Sequence, residues 1–216
     1  MLEKMAEFFD NRIDGYEEHM LTCIESAEVF YPFTAQCLPM APGAMVLDLG
    51  CGTGLELEYY FQQNPTAKVT GIDLAPGMLQ ALKKKFPEKE LDLIQGSYFD
   101  VELGQEVYDA VVSVESLHHF TGEEKLSLYE KVGAALKPGG AFVLTDYFSL
   151  SDEEEIFHRQ ELLRLKKEQG IRDEEFYHYD TPLTVEHETE ILRKAGFTKV
   201  EVLKNWGATY CVRSIK

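Results

Sequence analysis

The spacing of apolar positions changes character at residue 45. Before it, Phe8, Phe9, Ile13 and Tyr16 recur at near-helical intervals, and Ala27, Phe30 and Phe33 begin a second such face, predicting helices within residues 2–40. Pro39, Pro42 and Gly43 end that region. From Met45 onward, short apolar runs predict strands at Met45–Leu49, Lys68–Ile72, Leu91–Ile94, Asp109–Val114 and Ala141–Thr145. Helical patterns separate them, over Leu55–Gln63, from Pro76 to Phe86, and over Glu123–Leu136 ahead of Pro138-Gly139-Gly140. Strands that alternate with helices predict a parallel sheet covered on both faces, an α/β class.

The tail is patterned differently. Ser151 and Glu154 form a capping box before a helix reaching Gln169, with Gly170 as its stop. Residues 171–183 are aromatic, acidic and irregular. Thr184 caps a helix that ends at Gly196, and Lys199–Leu203 and Tyr210–Ile215, linked through Asn205-Trp206-Gly207, predict an antiparallel hairpin at a sheet edge. The whole is expected to be one domain: a helical cap over 1–44, a ligand-binding core over 45–146, a helical and lid insertion over 147–183, and a terminal helix and hairpin over 184–216.

Composition narrows the partners. The 216 residues are 44% hydrophobic and 27% charged, ordinary for a globular chain, but the net charge is -17. Such a surface repels phosphate backbones, so nucleic acid is disfavoured; the run Lys83-Lys84-Lys85 is read as the solvated end of a helix. Cys23, Cys37, Cys51 and Cys211 contain no C-x-x-C pair, which suits reduced thiols in the cytoplasm better than zinc. The N-terminal stretch reads as an amphipathic acidic segment rather than an apolar signal region, and no apolar run is long enough to span a bilayer. His187-Glu188 opens like H-E-x-x-H, but Ile191 fills the last position.

The chemistry centres on Gly50-Cys51-Gly52-Thr53-Gly54 after the first strand. Parallel sheets bind ligands beyond their carboxyl ends, and glycines there let backbone approach a ligand closely. A dinucleotide fingerprint requires glycine where Leu55 stands, and a P-loop requires a Gly-Lys-Ser/Thr that does not follow. Asp48, Glu56 and Glu58 flank the loop and would repel a diphosphate. A cationic, phosphate-free ligand removes the conflict. S-adenosylmethionine (SAM) carries a sulfonium and an ammonium; Asp48 suits the ammonium, and Asp73 ends the second strand where a carboxylate can accept both ribose hydroxyls.

Five ordered stretches carry a family resemblance: VLDLGCGTG, VTGIDLAPGML, LIQGSYFD, YDAVVSVESLHHF and LKPGGAFVLTDYF. Residues 45–146 resemble a class I SAM-dependent methyltransferase. The resemblance implies a Rossmann-like, seven-stranded, mostly parallel sheet with helices on both faces and an antiparallel last strand. It implies SAM as cofactor and S-adenosylhomocysteine as product. By position it implies Asp48, Gly50, Cys51, Gly52 and Gly54 beside the methionine and ribose, Asp73 on the ribose, and Leu74 and Met78 on the adenine. Ser97 and Tyr98 fall at the adenine edge, with Ser97 standing where many relatives carry Asp, and Val114 and Glu115 fall near the sulfonium. The tail is similar in architecture to carboxy-SAM synthases that serve tRNA wobble-uridine modification, with Arg172 near the place of their carboxylate-holding arginine.

Methyl transfer from a sulfonium needs alignment and dryness more than acid–base chemistry. His118, His119 and Tyr147 are the candidate catalytic residues, a base being needed only where the acceptor must lose a proton. The alternatives are a turn-capping role for the histidines and a core-edge role for Tyr147. As metal ligands the histidines are disfavoured, because adjacent residues seldom converge on one ion and no third ligand is evident. Phe176–Asp180 is either a lid over the acceptor or an anchored surface loop, and Tyr16 and Tyr31 either close over the cofactor or pack between helices. The expected activity is methylation of a small or medium acceptor, with carboxy-SAM formation, tRNA modification or a non-catalytic SAM-binding module as alternatives. The hairpin and aromatic tail would support a homodimer.

Overall fold

The computed structural model describes residues 1–171 and 176–216. Arg172 lies outside the described residues. Three helices open the chain: α1 (Met5–Asp10), α2 (Tyr16–Cys23) and α3 (Ala27–Gln36). The core follows as β1 (Met45–Leu49), α4 (Leu55–Gln63), β2 (Lys68–Asp73), α5 (Pro76–Lys85), β3 (Leu91–Gln95), β4 (Tyr108–Val114), α6 (Gly122–Ala135) and β5 (Leu136–Tyr147). The tail adds α7 (Asp152–Gln169), α8 (Val185–Lys194), β6 (Lys199–Trp206) and β7 (Thr209–Ile215).

The seven strands are ordered β3-β2-β1-β4-β5-β7-β6. Pairings from β3 to β5 are parallel, whereas β7 lies antiparallel between β5 and β6. Alternate side chains of each strand feed opposite faces. Leu47, Leu49, Val111, Phe142 and Leu144 pack under α6 and α8, while Val46, Val69, Val112 and Val143 pack under α3 and α4. The winding reverses between β1 and β4, so the carboxyl ends of these two strands flank the natural ligand crevice.

Two boundaries differ from the sequence expectation. Strand β5 begins at Leu136, directly after α6, and runs through Pro138-Gly139-Gly140. Those residues form a bulged entry in which Leu136 pairs with Tyr108 before regular register resumes at Ala141 with Ala110. The terminal hairpin is longer than expected, and its link is Gly207-Ala208, with Gly207 at φ +58°. The tail caps are as expected: Ser151 Oγ accepts from Glu154 N–H, Thr184 Oγ1 from His187 N–H, and Gly170 is left-handed.

The additions converge over the carboxyl ends of the strands. Met5 N–H donates to the Phe176 carbonyl, and Lys4 bridges to Tyr177. Asp10 Oδ1 accepts from Gly77 N–H at 2.8 Å, pinning the end of α1 to the start of α5. Thr181 N–H donates to the His118 carbonyl at 2.7 Å, which fastens the incoming tail segment to the loop after β4.

Candidate active site

The carboxyl ends of β1, β2 and β4 surround an inner cavity lined by Gly50, Gly52, Asp73, Leu74, Met78, Tyr98, Val114, Glu115, Ser116 and His119, roofed by Met5, Phe9 and Tyr16. It is narrow, about 50 Å³. An outer cavity of about 640 Å³ adjoins it and shares Phe9, Tyr16, Glu115 and His119 with it. Arg12, His19, His118, His178 and Asp180 line the rest of the outer space.

The glycine loop owes its shape to backbone freedom and to one carboxylate. Gly50, Gly52 and Gly54 all sit at positive φ, which side chains resist. A Cβ on Gly50 would overlap Ser116 Oγ, so glycine there is also a demand for space. Asp73 Oδ2 accepts from Gly52 N–H and Oδ1 from Ala75 N–H, both at 2.8 Å. Burial raises the Asp73 pKa, and these N–H bonds oppose the rise.

Asp48 lies behind the loop rather than on the cavity wall. It is 1% exposed and faces Glu56 of α4, itself 4% exposed. Burial, then the neighbouring carboxylate, raises the Asp48 pKa well above its usual range, and burial raises that of Glu56. The Glu56 carboxylate disfavours ionisation of Asp48. Its charge still reaches the crevice: Glu56, Asp73 and Glu115 all act on the Tyr16 hydroxyl, whose pKa rises through burial and then through these carboxylates.

Cys51, Gly54 and Ser97 also lie off the cavity walls. Cys51 is buried against Gly71, and Gly54 faces Leu82 and Leu57. Ser97 Oγ accepts from Phe99 N–H at 3.2 Å, shaping the turn that carries Tyr98 to the wall. Tyr31 is buried against Phe30, and Tyr147 stands behind His118, ring centroids 6.0 Å apart.

Beyond β4, Glu115 adopts φ +50°, a left-handed conformation that costs a non-glycine residue about 1 kcal/mol or more. Its N–H still donates to the Thr145 carbonyl, and Thr209 Oγ1 reaches its carboxylate at 3.4 Å. Burial, then Asp146, pushes the Glu115 pKa up to about 8. A turn of 3-10 helix over Leu117–His119 follows and brings the two histidine rings to 4.0 Å, tilted by 56°.

Asp146, at the end of β5, organises that turn. It accepts from Leu117 N–H at 2.8 Å and from Tyr147 N–H at 2.9 Å, and lies 2.5 Å from His118 Nδ1. Burial alone would lower the His118 pKa, but Asp146 and then Asp180 outweigh it and push it up to about 9. His119 is held down at about 4 by burial and by the charge of His118. Asp180 Oδ1 stands 3.1 Å from His119 Nδ1 and 3.7 Å from His118 Nε2.

Asp146 and Ser116 had not been singled out from sequence, nor had the roofing role of Met5 and Phe9. Asp146 carries a usable signal: it directly follows the strand expected over Ala141–Thr145, whose parallel pairing with β4 places it next to the 118–119 turn.

Residues 46–140 match the family model described as a methyltransferase domain. The chain is 28% identical over 207 residues to an uncharacterized methyltransferase of Geobacillus sp., covering 95% of this chain and 92% of that one. It is 31% identical over 172 residues to the carboxy-S-adenosyl-L-methionine synthase of Chromohalobacter salexigens, covering 73% of this chain and 63% of that one. Human N-acetylserotonin methyltransferase, solved with SAM, shares the fold at a TM-score of 0.68 and 18% identity, covering 99% of this chain and 59% of that one. Sheet order, crevice, motif order and these relatives agree on a class I, SAM-dependent methyltransferase domain over residues 46–140.

Proposed function

We propose that SAM occupies the inner cavity and that its methyl group passes to a small or medium acceptor in the outer one. The observation that carries this is the continuity of the two spaces through Phe9, Tyr16, Glu115 and His119. In this arrangement Asp73 accepts the ribose hydroxyls, since each of its oxygens keeps a free lone pair beyond the N–H it already holds. Leu74 and Met78 lie against the adenine, with Tyr98 at its edge and Ser97 shaping that turn. Gly50 and Gly52 admit the methionine portion, Cys51 and Gly54 support the loop, and Val114 and Glu115 border the sulfonium. Asp48 stands behind the loop as the partner of Glu56, whose charge adds to the negative field that favours a cation.

The reaction is an in-line displacement. A lone pair of the acceptor forms the new bond to the methyl carbon as the sulfur–methyl bond breaks, and its electrons remain on sulfur, leaving S-adenosylhomocysteine. Phe8, Phe9 and Met20 give the acceptor space an apolar side that excludes water. His119, kept neutral, can take a proton from the acceptor; His118, kept charged, orients it, and Tyr147 buttresses His118. Four unpaired cysteines suit a reducing, cytoplasmic setting. No helix among the described residues is long and apolar enough to cross a membrane.

Incubating the protein with methyl-labelled SAM and a small-molecule extract should yield S-adenosylhomocysteine together with one labelled product. S-adenosylhomocysteine that never forms, despite tight SAM binding by calorimetry, would make the chain a SAM-binding module instead.

A further inference from the structure

The histidine pair and Asp180 form a cluster that hydrogen bonding does not account for. His119 Nδ1 and Asp180 Oδ1 are shielded from solvent and only 3.1 Å apart, yet neither has a hydrogen-bond partner, because their geometry is wrong for one. His118 Nε2 points to the same carboxylate oxygen from 3.7 Å, and all three atoms lie within 4.8 Å of one another. Two ligands of one ion, each about 2.1 Å from it and at right angles, stand about 3.0 Å apart. The His119–Asp180 spacing therefore matches two donors around a common centre, and His118 Nε2, 3.7 Å from Asp180 Oδ1, must close on it by about 0.7 Å.

The surroundings have the form of a metal site. Adjacent histidines seldom converge, but here the 3-10 turn after β4 brings both rings to one side. Asp146 engages His118 Nδ1 at 2.5 Å and so aims Nε2 toward Asp180, the carboxylate–histidine–metal arrangement; an ion bound there displaces the Nε2 proton that His118 carries in its absence. Asp146 is itself held by two backbone N–H groups. Asp180 is brought in by the bond from Thr181 N–H to the His118 carbonyl. The remaining side of the cluster opens into the acceptor cavity, as its shared lining residues His118, His119 and Asp180 require.

We propose that His118 Nε2, His119 Nδ1 and Asp180 Oδ1 bind one divalent first-row transition ion, whose open positions hold an oxygen of the methyl acceptor. Two imidazoles and one carboxylate select such an ion over Mg²⁺ or Ca²⁺, which take all-oxygen sites. The assignment deepens the methyl-transfer reading and rests on it for the acceptor. Coordination lowers the pKa of a hydroxyl or enol, whose proton leaves to solvent rather than to His119. The resulting oxyanion forms the oxygen–methyl bond as the sulfur–methyl bond breaks, with no change of oxidation state.

The test uses the full chain, purified without a histidine tag and stripped with chelator, titrated with Co²⁺ and Zn²⁺. Calorimetry and the visible Co²⁺ ligand-field bands should report one equivalent bound. His119→Ala and Asp180→Asn should each lose roughly 100-fold or more in affinity, and Asp146→Asn about 10–100-fold. His187→Ala, at a histidine paired with Glu155 on the protein surface, should bind as the parent does. Asp180 is 44% exposed, so its variant removes a ligand without emptying a core position. Absence of stoichiometric uptake, or uptake that survives both ligand substitutions, overturns the site. SAM affinity measured on the same stripped samples separates the two claims. SAM binding without metal uptake rejects the ion alone, and metal uptake without SAM binding rejects the cofactor assignment alone.

Discussion

Replacing Asp73 with Asn tests the centre of the cofactor assignment, because this side chain has two separable duties. Its oxygens hold Gly52 N–H and Ala75 N–H at 2.8 Å each. Asparagine keeps one acceptor but turns an amide N–H₂ toward the other backbone donor, which costs about 1–3 kcal/mol of folding stability. In the liganded enzyme the carboxylate would also accept two ribose hydroxyls. Hydrogen bonds to a charged acceptor are worth about 1.5–3 kcal/mol each, so weakening this pair removes about 3 kcal/mol of binding. At about 1.4 kcal/mol per decade, the SAM dissociation constant should rise roughly 100-fold or more. Calorimetric titration with SAM, beside a thermal melt, separates the duties. Asp109→Asn is the control: that carboxylate also holds a backbone N–H, of Met45, but lies at the opposite end of the strands and should affect stability alone. A SAM dissociation constant within threefold of the parent, in an Asp73→Asn protein that is still folded, would refute the ribose role.

Three further outcomes follow from other parts of the molecule. Gly50→Ala must overlap Ser116 Oγ and resist φ +74°, so it should lower the melting temperature and abolish measurable SAM binding; adding Ser116→Gly should restore part of the affinity. Lys125 and Glu188 form a 2.6 Å ion pair at 2% and 0% exposure, with Tyr129 also donating to Glu188. Lys125→Met should therefore cost about 3–5 kcal/mol in urea denaturation, while Lys125→Met with Glu188→Met should recover more than half of it, because no buried charge is left unpaired. Asp48 and Glu56 have pKa values raised above those of the unfolded chain, so the stability they contribute is full below about pH 4 and is lost as pH rises through the folded values. Glu56→Gln should accordingly flatten the fall in stability as pH rises above the ordinary carboxylate range, by at most about 1.4 kcal/mol per pH unit for each proton removed; an unchanged slope would refute the coupling of the two carboxylates.

Much of the fold could be read from local pattern because its strands are short, apolar and bounded by glycine, proline or an acid. Met45–Leu49 and Leu55–Gln63 were expected with the bounds the structure gives them. The start of β5 was hidden because Pro138-Gly139-Gly140 has turn chemistry, while its pairing is set by the neighbouring β4. At the site, the glycine loop and Asp73 announce themselves by spacing alone. Asp180 does not: it sits in an irregular stretch with no periodicity, and only the contact between Thr181 and His118 brings it to the histidines. Asp48 illustrates the opposite limit. Its position beside the loop is legible, but its burial against Glu56 is set by how α4 rests on the sheet, which no local pattern announces.

Tethering of Lys4 and Met5 to Phe176 and Tyr177 has a kinetic consequence. Residues far apart in sequence close over one crevice, and Met5 and Phe9 roof an inner space that must widen to admit a nucleoside. Neither segment can swing away without the other losing main-chain hydrogen bonds, so with SAM and acceptor placed as proposed both would exchange through one opening event. Turnover limited by that event would slow with solvent viscosity, and trimming the first few residues would speed nucleoside release while loosening its grip.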